Sequence, residues 1–375
     1  MTQITRRAFG MGLAALGISG CSAPPDRTTL SIAGLPTDLQ PTRNAGYDAW
    51  VASFRSRAIQ KGYSEALLNE AFRGTGYLTG VVSRDRNQVE FRRSLEDYLS
   101  IAVSDERVSR GQAAFARHEQ TLRAIEQRYG VDAYIVTAIW GLESFYGERK
   151  GNVPVISATS TLAYDGRRGQ FFEQQLLAAL EILENGDIPA ADMTGSWAGA
   201  MGHTQFIPTS YLAFAVDFTG DGRRDIWADD PSDALASAAA YLSRNGWRTG
   251  VNWGREDAGG GLQPQPGGPR FSVSQNFSVI KRYNNSDSYA IGVGHLADRI
   301  AGGPPLRTPF PPDANGFTKS DRVALQEALT SAGFDTGGAD GVIGPKTLDA
   351  IRRYQSSSGL PVTGKPSRTL LNRLL

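Results

Sequence analysis

One carboxylate, Glu143, stands inside the run Ala138-Ile139-Trp140-Gly141-Leu142-Glu143-Ser144-Phe145-Tyr146-Gly147. An ionisable group among aromatic and aliphatic residues is either a solvated glutamate at the edge of a helix or a carboxyl whose charge is penalised by burial. The second case raises the pKa, and a raised pKa is what a general acid working near neutral pH needs. The spacing predicts a helix over 133–146. Ile135, Ile139 and Leu142 then share one face, with Glu143 at its edge and Trp140 three residues before it. Glu148 lies five residues on, about 140° round such a helix at about 100° per residue. It cannot share that face, so the run offers no second carboxylate.

Two further stretches have residue types suited to a site. Residues 195–207 read GSWAGAMGHTQFI. Gly195, Ala198, Gly199 and Ala200 let backbone segments approach closely, and Ser196, His203, Thr204 and Gln205 can line a groove. Asp217, Thr219 and Asp221, followed by Gly222 and Arg223, place oxygens at positions 1, 3 and 5, a glycine at 6 and a backbone carbonyl at 7, like the start of a calcium loop. The pattern departs from an EF-hand at Thr219 and at position 12, which is Ala228. The alternative is a plain Gly-Asp-Gly turn. Adjacent Arg223 and Arg224 lower the local negative charge and predict weak affinity.

The elements that must position these groups read as helices. Candidates are 49–62 with Gly62 as a stop, 110–129, 133–146 and 171–183. Residues 271–280 read as a brief strand. The 39 lysines and arginines balance 38 acids, which argues against a large nucleic-acid footprint. The three histidines, His118, His203 and His295, have no zinc-ligand spacing.

AIWGLESFYG, GSWAGAMGHTQFIPTSY and AVDFTGDGRRDIW, with Asp85–Phe91 upstream and Arg282-Tyr283-Asn284…Tyr289-Ala290 downstream, together resemble the membrane-bound lytic murein transglycosylase B family over residues 48–300. The resemblance implies a mainly α, lysozyme-like α+β domain with a cleft for glycan strands. It implies that Glu143 is the single catalytic acid/base for cutting the MurNAc–GlcNAc β-1,4 bond of peptidoglycan with 1,6-anhydromuramoyl ends. It also implies that Ser196, Gln205, Tyr283, Asn284 and Tyr289 bind substrate. No cofactor is required. A structural calcium or sodium ion is implied at Asp217, Thr219, Asp221, Arg223 and Asp233, where Asp233 is the distal carboxylate. A muramidase-type hydrolase and a non-catalytic wall-binding scaffold are the alternatives.

The ends of the chain add an address and a second module. Arg6-Arg7-Ala8-Phe9 opens an apolar run too short to span a bilayer. It ends in Ile18-Ser19-Gly20-Cys21. Residues 1–21 resemble a twin-arginine export signal closed by a lipobox, which predicts acylation of Cys21, the only cysteine. An ordinary cleaved signal is the alternative. Ser22 rather than Asp follows the cysteine, which by resemblance to other lipoproteins implies a periplasm-facing anchor in the outer membrane. Residues 22–45 read as a tether, 46–300 as the catalytic domain and 301–317 as a linker, with five prolines in AGGPPLRTPFPP. Residues 318–375 resemble a peptidoglycan-binding domain of three short helices, through Asp340-Gly341-Val342-Ile343-Gly344-Pro345-Lys346-Thr347 and Gly359-Leu360-Pro361. Its wall contacts are expected around Asp340 and at exposed groups such as Arg352. The partners implied are peptidoglycan strands and a membrane. Cell-wall synthesis proteins are a further candidate class.

Overall fold

The computed structural model describes residues 34–87 and 94–375. It is helical, with two small two-stranded ladders. Along the chain come α1 (Ala45–Gln60), α2 (Glu65–Ala71), α3 (Thr79–Arg86), α4 (Leu95–Ala102), α5 (Asp105–Arg117), α6 (Glu119–Tyr129), α7 (Ala133–Ser144), β1 (Val153–Pro154), α8 (Val155–Asp165) and α9 (Gly169–Glu184). Then follow β2 (Thr194–Gly195), α10 (Pro208–Phe214), α11 (Ser232–Arg244), β3 (Gly254–Glu256), β4 (Phe271–Val273), α12 (Gln275–Tyr283) and α13 (Asp287–Ile300). The last three helices are α14 (Lys319–Ser331), α15 (Pro345–Ser357) and α16 (Arg368–Leu374). β1 pairs antiparallel with β2, Val153 opposite Gly195, and β3 with β4, Arg255 opposite Ser272. Among the described residues no helix is long and apolar enough to cross a membrane.

Local chemistry explains most boundaries. Asn44, Ser64, Ser94, Ser104, Asp132, Ser274 and Ser286 each accept a backbone N–H in the first turn of the helix that follows. In α1, Tyr47, Val51, Phe54 and Ala58 recur at helical spacing, and all four are fully buried against α8 and α9. α7 is apolar almost all round. It is buried from Ala133 to Gly141 apart from Tyr134, between α5, α6, α11 and α13. A helix enclosed in this way is a rigid platform for whatever stands at its C-terminal end.

Three expectations are corrected. The single helix over 110–129 is two, because His118 leaves helical geometry (φ −114°, ψ 19°) and lays its ring edge-on to Trp140. Residues 271–280 are strand only to Val273, since Ser274 caps a helix through Asn276 N–H. Residues 34–45 of the segment read as tether belong to the folded body. Leu35 and Leu39 pack into a core with Leu78 and Val81, and Thr42 pairs with Tyr77. Cys21 and the rest of residues 1–33 lie outside the described residues, as do residues 88–93, which include the end of the upstream motif.

The last three helices enclose their own small core of Phe317, Leu325, Leu329, Ala350, Ile351, Leu370 and Leu371. Thr318 and Asp321 form a reciprocal capping box at α14, and Pro345 opens α15. The proline-rich segment before them lies along the larger body. Leu306 and Phe310 pack against its core, and the Glu256 carboxylate accepts the N–H groups of Arg307 and Thr308 at 2.8 and 2.7 Å. Arg322 on α14 reaches back to α4, where its guanidinium meets Glu96 at 2.5 Å and Asp97 at 3.4 Å.

Candidate active site

Glu143 is the penultimate residue of α7, half-buried. α13 packs along α7. Ser286 caps α13 by accepting Tyr289 N–H, which fixes Tyr289 in its first turn. The phenol of Tyr289 donates to Glu143 Oε1 at 2.5 Å. Burial pushes the Glu143 carboxyl up from the ordinary glutamate value to about 7, partly opposed by the Tyr289 hydrogen bond, which favours the charged form. Tyr289 is itself buried, and burial followed by the Glu143 charge raises its pKa, so it stays a donor. No second acid among the described residues contributes to the shift of Glu143. Glu148 turns outward and pairs with Arg110.

The chain reverses immediately after Glu143. Phe145 (φ 53°) and Tyr146 (φ 59°) both occupy the left-handed region, which non-glycine residues seldom adopt. α7 therefore stops at Ser144, two residues earlier than the spacing predicts. Ser144 Oγ donates to His203 O at 2.6 Å and accepts Gly147 N–H at 3.0 Å. Trp140, three residues before Glu143, is tied to the 195–207 loop. Its indole N–H donates to His203 Nδ1 at 3.1 Å, and His203 Nε2 donates to Ala228 O at 2.7 Å. His203 is thus a buried latch between α7 and the 225–228 turn, neutral because burial lowers its pKa to about 4. It does not line a groove.

The 195–207 loop is folded back on itself. Ser196 N–H donates to Ala200 O at 2.7 Å, and Ser196 Oγ accepts Ala200 N–H at 3.1 Å. A Cβ on Gly195 would stand 2.2 Å from Ala200 O, and one on Gly202 (φ 66°) 2.3 Å from Ile226 O. Both glycines are needed for close backbone approach; Gly195 was expected from composition, Gly202 was not. Gln205, also left-handed at φ 53°, donates its amide hydrogens to Lys150 O and Gly202 O, both at 2.9 Å. This ties the loop to the turn after α7. Tyr283 donates to Thr204 O at 2.7 Å and lies close enough to Glu143 for the carboxylate charge to raise its pKa, after burial. Asn284 is exposed at the end of α12. The structure thus brings Glu143, Tyr289 and Tyr283 together. The polar groups of Ser196 and most of those of Gln205 are engaged in holding the loop, and only the Asn284 side chain stands free.

Sequence reading missed the outer parts of this assembly. Asp85 is buried and receives Arg167 and Arg168, whose hydrogen bonds hold its carboxyl below the usual range. Tyr146 donates to Arg107 O at 2.8 Å. Neither pairing has a local sequence signal, since the partners are distant in the chain: Asp85 on α3 meets the turn after α8, and Tyr146, just past α7, meets α5.

The acidic loop is tested against a cation by its donors. Asp217, Asp221 and Asp233 place carboxylate oxygens within 4.8 Å of one another. That is the span of two oxygens across a calcium ion held at about 2.4 Å. Asp217 is held ionised by Gly222 and Gly220 N–H groups, while burial raises Asp233. Asp233 also accepts Phe218, Thr219 and Asp225 N–H groups, which closes the loop. Arg224 does not oppose a cation here. It turns away to pair with Asp187 at 2.6 Å. An oxygen-rich loop of this kind fits a hard cation, with Thr219 and the Arg223 carbonyl at the remaining expected positions.

In the C-terminal helices, Asp340 Oδ1 accepts Gln326 and Val342 N–H groups and so shapes the Asp-Gly loop, whereas Arg352 is exposed.

Comparison with known proteins supplies a family. Residues 46–259 and 257–298 match the transglycosylase SLT domain, and residues 318–374 match the putative peptidoglycan-binding domain. The chain is 30% identical over 242 residues to membrane-bound lytic murein transglycosylase B of Escherichia coli, covering 54% of this chain and 66% of that protein. The crystal structure of SltB3 from Pseudomonas aeruginosa in complex with NAG-anhNAM-pentapeptide is 42% identical, with a TM-score of 0.69. The match covers 88% of this chain and all of that one. The Escherichia coli lytic transglycosylase Slt35 in complex with calcium is 26% identical, with a TM-score of 0.58, covering 69% of this chain and 93% of that one. With its glutamate-bearing helix inside a match that spans more than half of its length, the chain belongs to the SLT transglycosylase family.

Proposed function

We propose that the protein is a lytic transglycosylase that cuts the MurNAc–GlcNAc β-1,4 bond of peptidoglycan and leaves a 1,6-anhydromuramoyl end. The observation that carries this reading is a half-buried Glu143 with a pKa of about 7, touched by the Tyr289 phenol and by no second acid among the described residues. Near neutral pH such a group is ready both to give and to accept a proton. Protonated Glu143 transfers its proton to the glycosidic oxygen as the C1–O bond breaks. The carboxylate then takes the proton of the C6 hydroxyl on the same muramoyl ring, and that oxygen bonds to C1. Glu143 ends as it began, and no water is consumed. The two-carboxylate geometry of ordinary glycoside hydrolysis is not needed.

Tyr289 orients the carboxyl and stabilises its charged form between the two transfers. Tyr283, Asn284, Ser196 and Gln205 are the proposed substrate-contacting groups, with the exposed Asn284 amide and the Gln205 amide oxygen presenting polar atoms to sugar. The test is mass spectrometry of products from purified sacculi. Anhydro ends are expected. Reducing ends that have gained water would replace this reading with a muramidase-type hydrolase, and no release would favour a wall-binding scaffold.

Tyr289→Phe removes a donor that favours the charged carboxylate, so the Glu143 pKa rises further. The acid form then persists to higher pH. The alkaline limb of the kcat/KM profile should move up by about one pH unit, the shift equivalent to one hydrogen bond, with turnover at neutral pH lower. An unchanged profile would show that the phenol does not tune the acid.

Asp217, Thr219, Asp221, the Arg223 carbonyl and Asp233 would hold a calcium or sodium ion, which would cross-link the 217–225 loop to α11 and take no part in the chemistry. Calcium at about 10 mM, well above the Kd of a weak site, is expected to raise Tm by about 2–4 °C. Asp221→Ala should abolish that response, because Asp221 is exposed and otherwise bonds only Arg223 N–H. A calcium-insensitive Tm in the wild type would leave the loop a plain turn.

By its N-terminal residues the protein is an outer-membrane lipoprotein facing the periplasm, acylated at Cys21. Membrane-fraction recovery that is the same for Cys21→Ser and wild type would remove the anchor.

A further inference from the structure

Beyond Glu143 the chain builds a second feature that the reaction does not use. The Phe145 ring is 6% exposed. Three guanidinium groups surround it, with carbons 4.4 Å (Arg149), 5.0 Å (Arg110) and 5.2 Å (Arg107) from the ring centroid. The three like charges therefore lie within roughly one Debye length of each other. Arg110 is compensated by Glu106 at 2.9 Å and Glu148 at 2.5 Å. The other two are not. Arg149 is exposed and makes no ion pair among the described residues. Arg107 is 9% exposed, forms no side-chain hydrogen bond or ion pair there, and has its Nε buried without a partner.

A guanidinium cannot shed its charge, and its donors are costly to leave unmade in a buried place. The cation–π contact with Phe145 satisfies the face of the group and leaves its N–H edge free. The backbone that presents the ring is also held in an unfavourable state, two successive residues at positive φ, fastened by the Tyr146 hydroxyl to Arg107 O. Such strain persists where the surrounding structure fixes it, and it gathers at ligand sites.

The place is next to the proposed chemistry. Phe145 is two residues after Glu143, at most about 7 Å along the backbone. Tyr98 on α4 lies close enough to Arg107 and to Tyr289 to perturb both. Arg149 is reached from solvent through an open cavity that it lines with Gly147, Glu148, Lys150 and Asn152. Where the muramoyl lactyl carboxyl is amide-linked to its peptide the sugars are uncharged, so the anions such a strand brings near the cleaved bond are the free carboxylates of that peptide. A planar guanidinium fork matches a carboxylate in two-point geometry.

We infer that Arg107 and Arg149, gathered on Phe145, form a subsite for a carboxylate of the stem peptide carried by the muramoyl residue bound at Glu143. This rests on the reading of Glu143 given above, and it makes strands whose stems carry free carboxylates the preferred substrate over strands with amidated stems.

The test measures binding, not turnover, on the full-length protein. The probe is N-acetylglucosaminyl-N-acetylmuramoyl-tripeptide, which lacks the bond to be cut, and the control is the same compound with its carboxylates amidated. Titration calorimetry should show the acid form binding about tenfold more tightly, the order one charge-assisted contact supplies. Arg149→Gln, at an exposed position, should bring that ratio close to one, and Arg107→Gln should do the same where it folds. Equal affinities in the wild type, or a ratio that survives Arg149→Gln, would overturn the subsite. The reading of Glu143 fails on a different result, the absence of anhydro ends from sacculi treated with wild-type protein.

Discussion

Under the proposed function, in which one residue serves as acid and then as base, Glu143→Gln should reduce the release of anhydro ends on the order of 10⁴-fold, each role being worth roughly 10²–10⁴. The amide keeps the size of the side chain and can still accept from Tyr289, so the site should stay formed. Stability should move the other way. The folded carboxyl titrates at about 7 against an ordinary value of 4.5. Its folded pKa is raised, so stability is full below about pH 4.5 and is lost as pH climbs through 7. The glutamine variant escapes this loss. At pH 8 it should be more stable than the wild type by about 2–3 kcal/mol, allowing for partial exposure. At pH 4 the two should unfold alike. Denaturant unfolding at both pH values, run beside the product assay, checks both halves. Retained turnover, or a stability difference that does not depend on pH, would remove Glu143 from its role.

The second large effect concerns the C-terminal helices. Arg322 is 3% exposed. It pairs with Glu96 at 2.5 Å, Asp97 at 3.4 Å and Asp313 at 3.6 Å, and donates to Gly341 O at 2.6 Å and Phe317 O at 3.2 Å. Arg322→Ala leaves a nearly buried Glu96 carboxylate and two carbonyls without their donor. Breaking a buried pair in this way costs about 3–5 kcal/mol. A core as small as that of α14–α16 has little more than this in reserve. Calorimetry should therefore show those helices melting separately and well below the rest, with earlier proteolysis at the proline-rich segment. The double variant Arg322→Met with Glu96→Leu should recover much of the loss, because it removes the stranded charge as well. A single, unshifted transition in Arg322→Ala would show that the contact carries no stability.

The same contact bears on how the two modules work together. The proline-rich segment was expected as a spacer, yet Leu306 and Phe310 are packed on the larger core and Glu256 holds the backbone at Arg307 and Thr308. The wall-binding helices are thereby placed at a set position beside α4. Under the proposed function, a strand held by one module is presented to the other in one orientation.

Local chemistry was enough to mark Glu143, because a carboxylate in an apolar helical run is a local contradiction that composition and spacing expose. Gly195 of the 195–207 loop and the acidic loop were legible for the same reason, each being a requirement of its own few residues. Where α5 and α6 separate was not legible, since His118 is bent out of the helix by its contact with Trp140, twenty-two positions on. Nor was the end of α7, where Phe145 and Tyr146 enter the left-handed region only because Ser144, His203 and Arg107 hold them there. The sequence by itself singled out Glu143 as the carboxyl to which the proposed function gives the proton, and the kind of helix that bears it. Tertiary structure alone decided its pKa, through the burial of that helix among four others and a phenol 146 residues away. Desolvation and hydrogen-bond geometry belong to the space around an atom, and neighbours in the chain do not define that space.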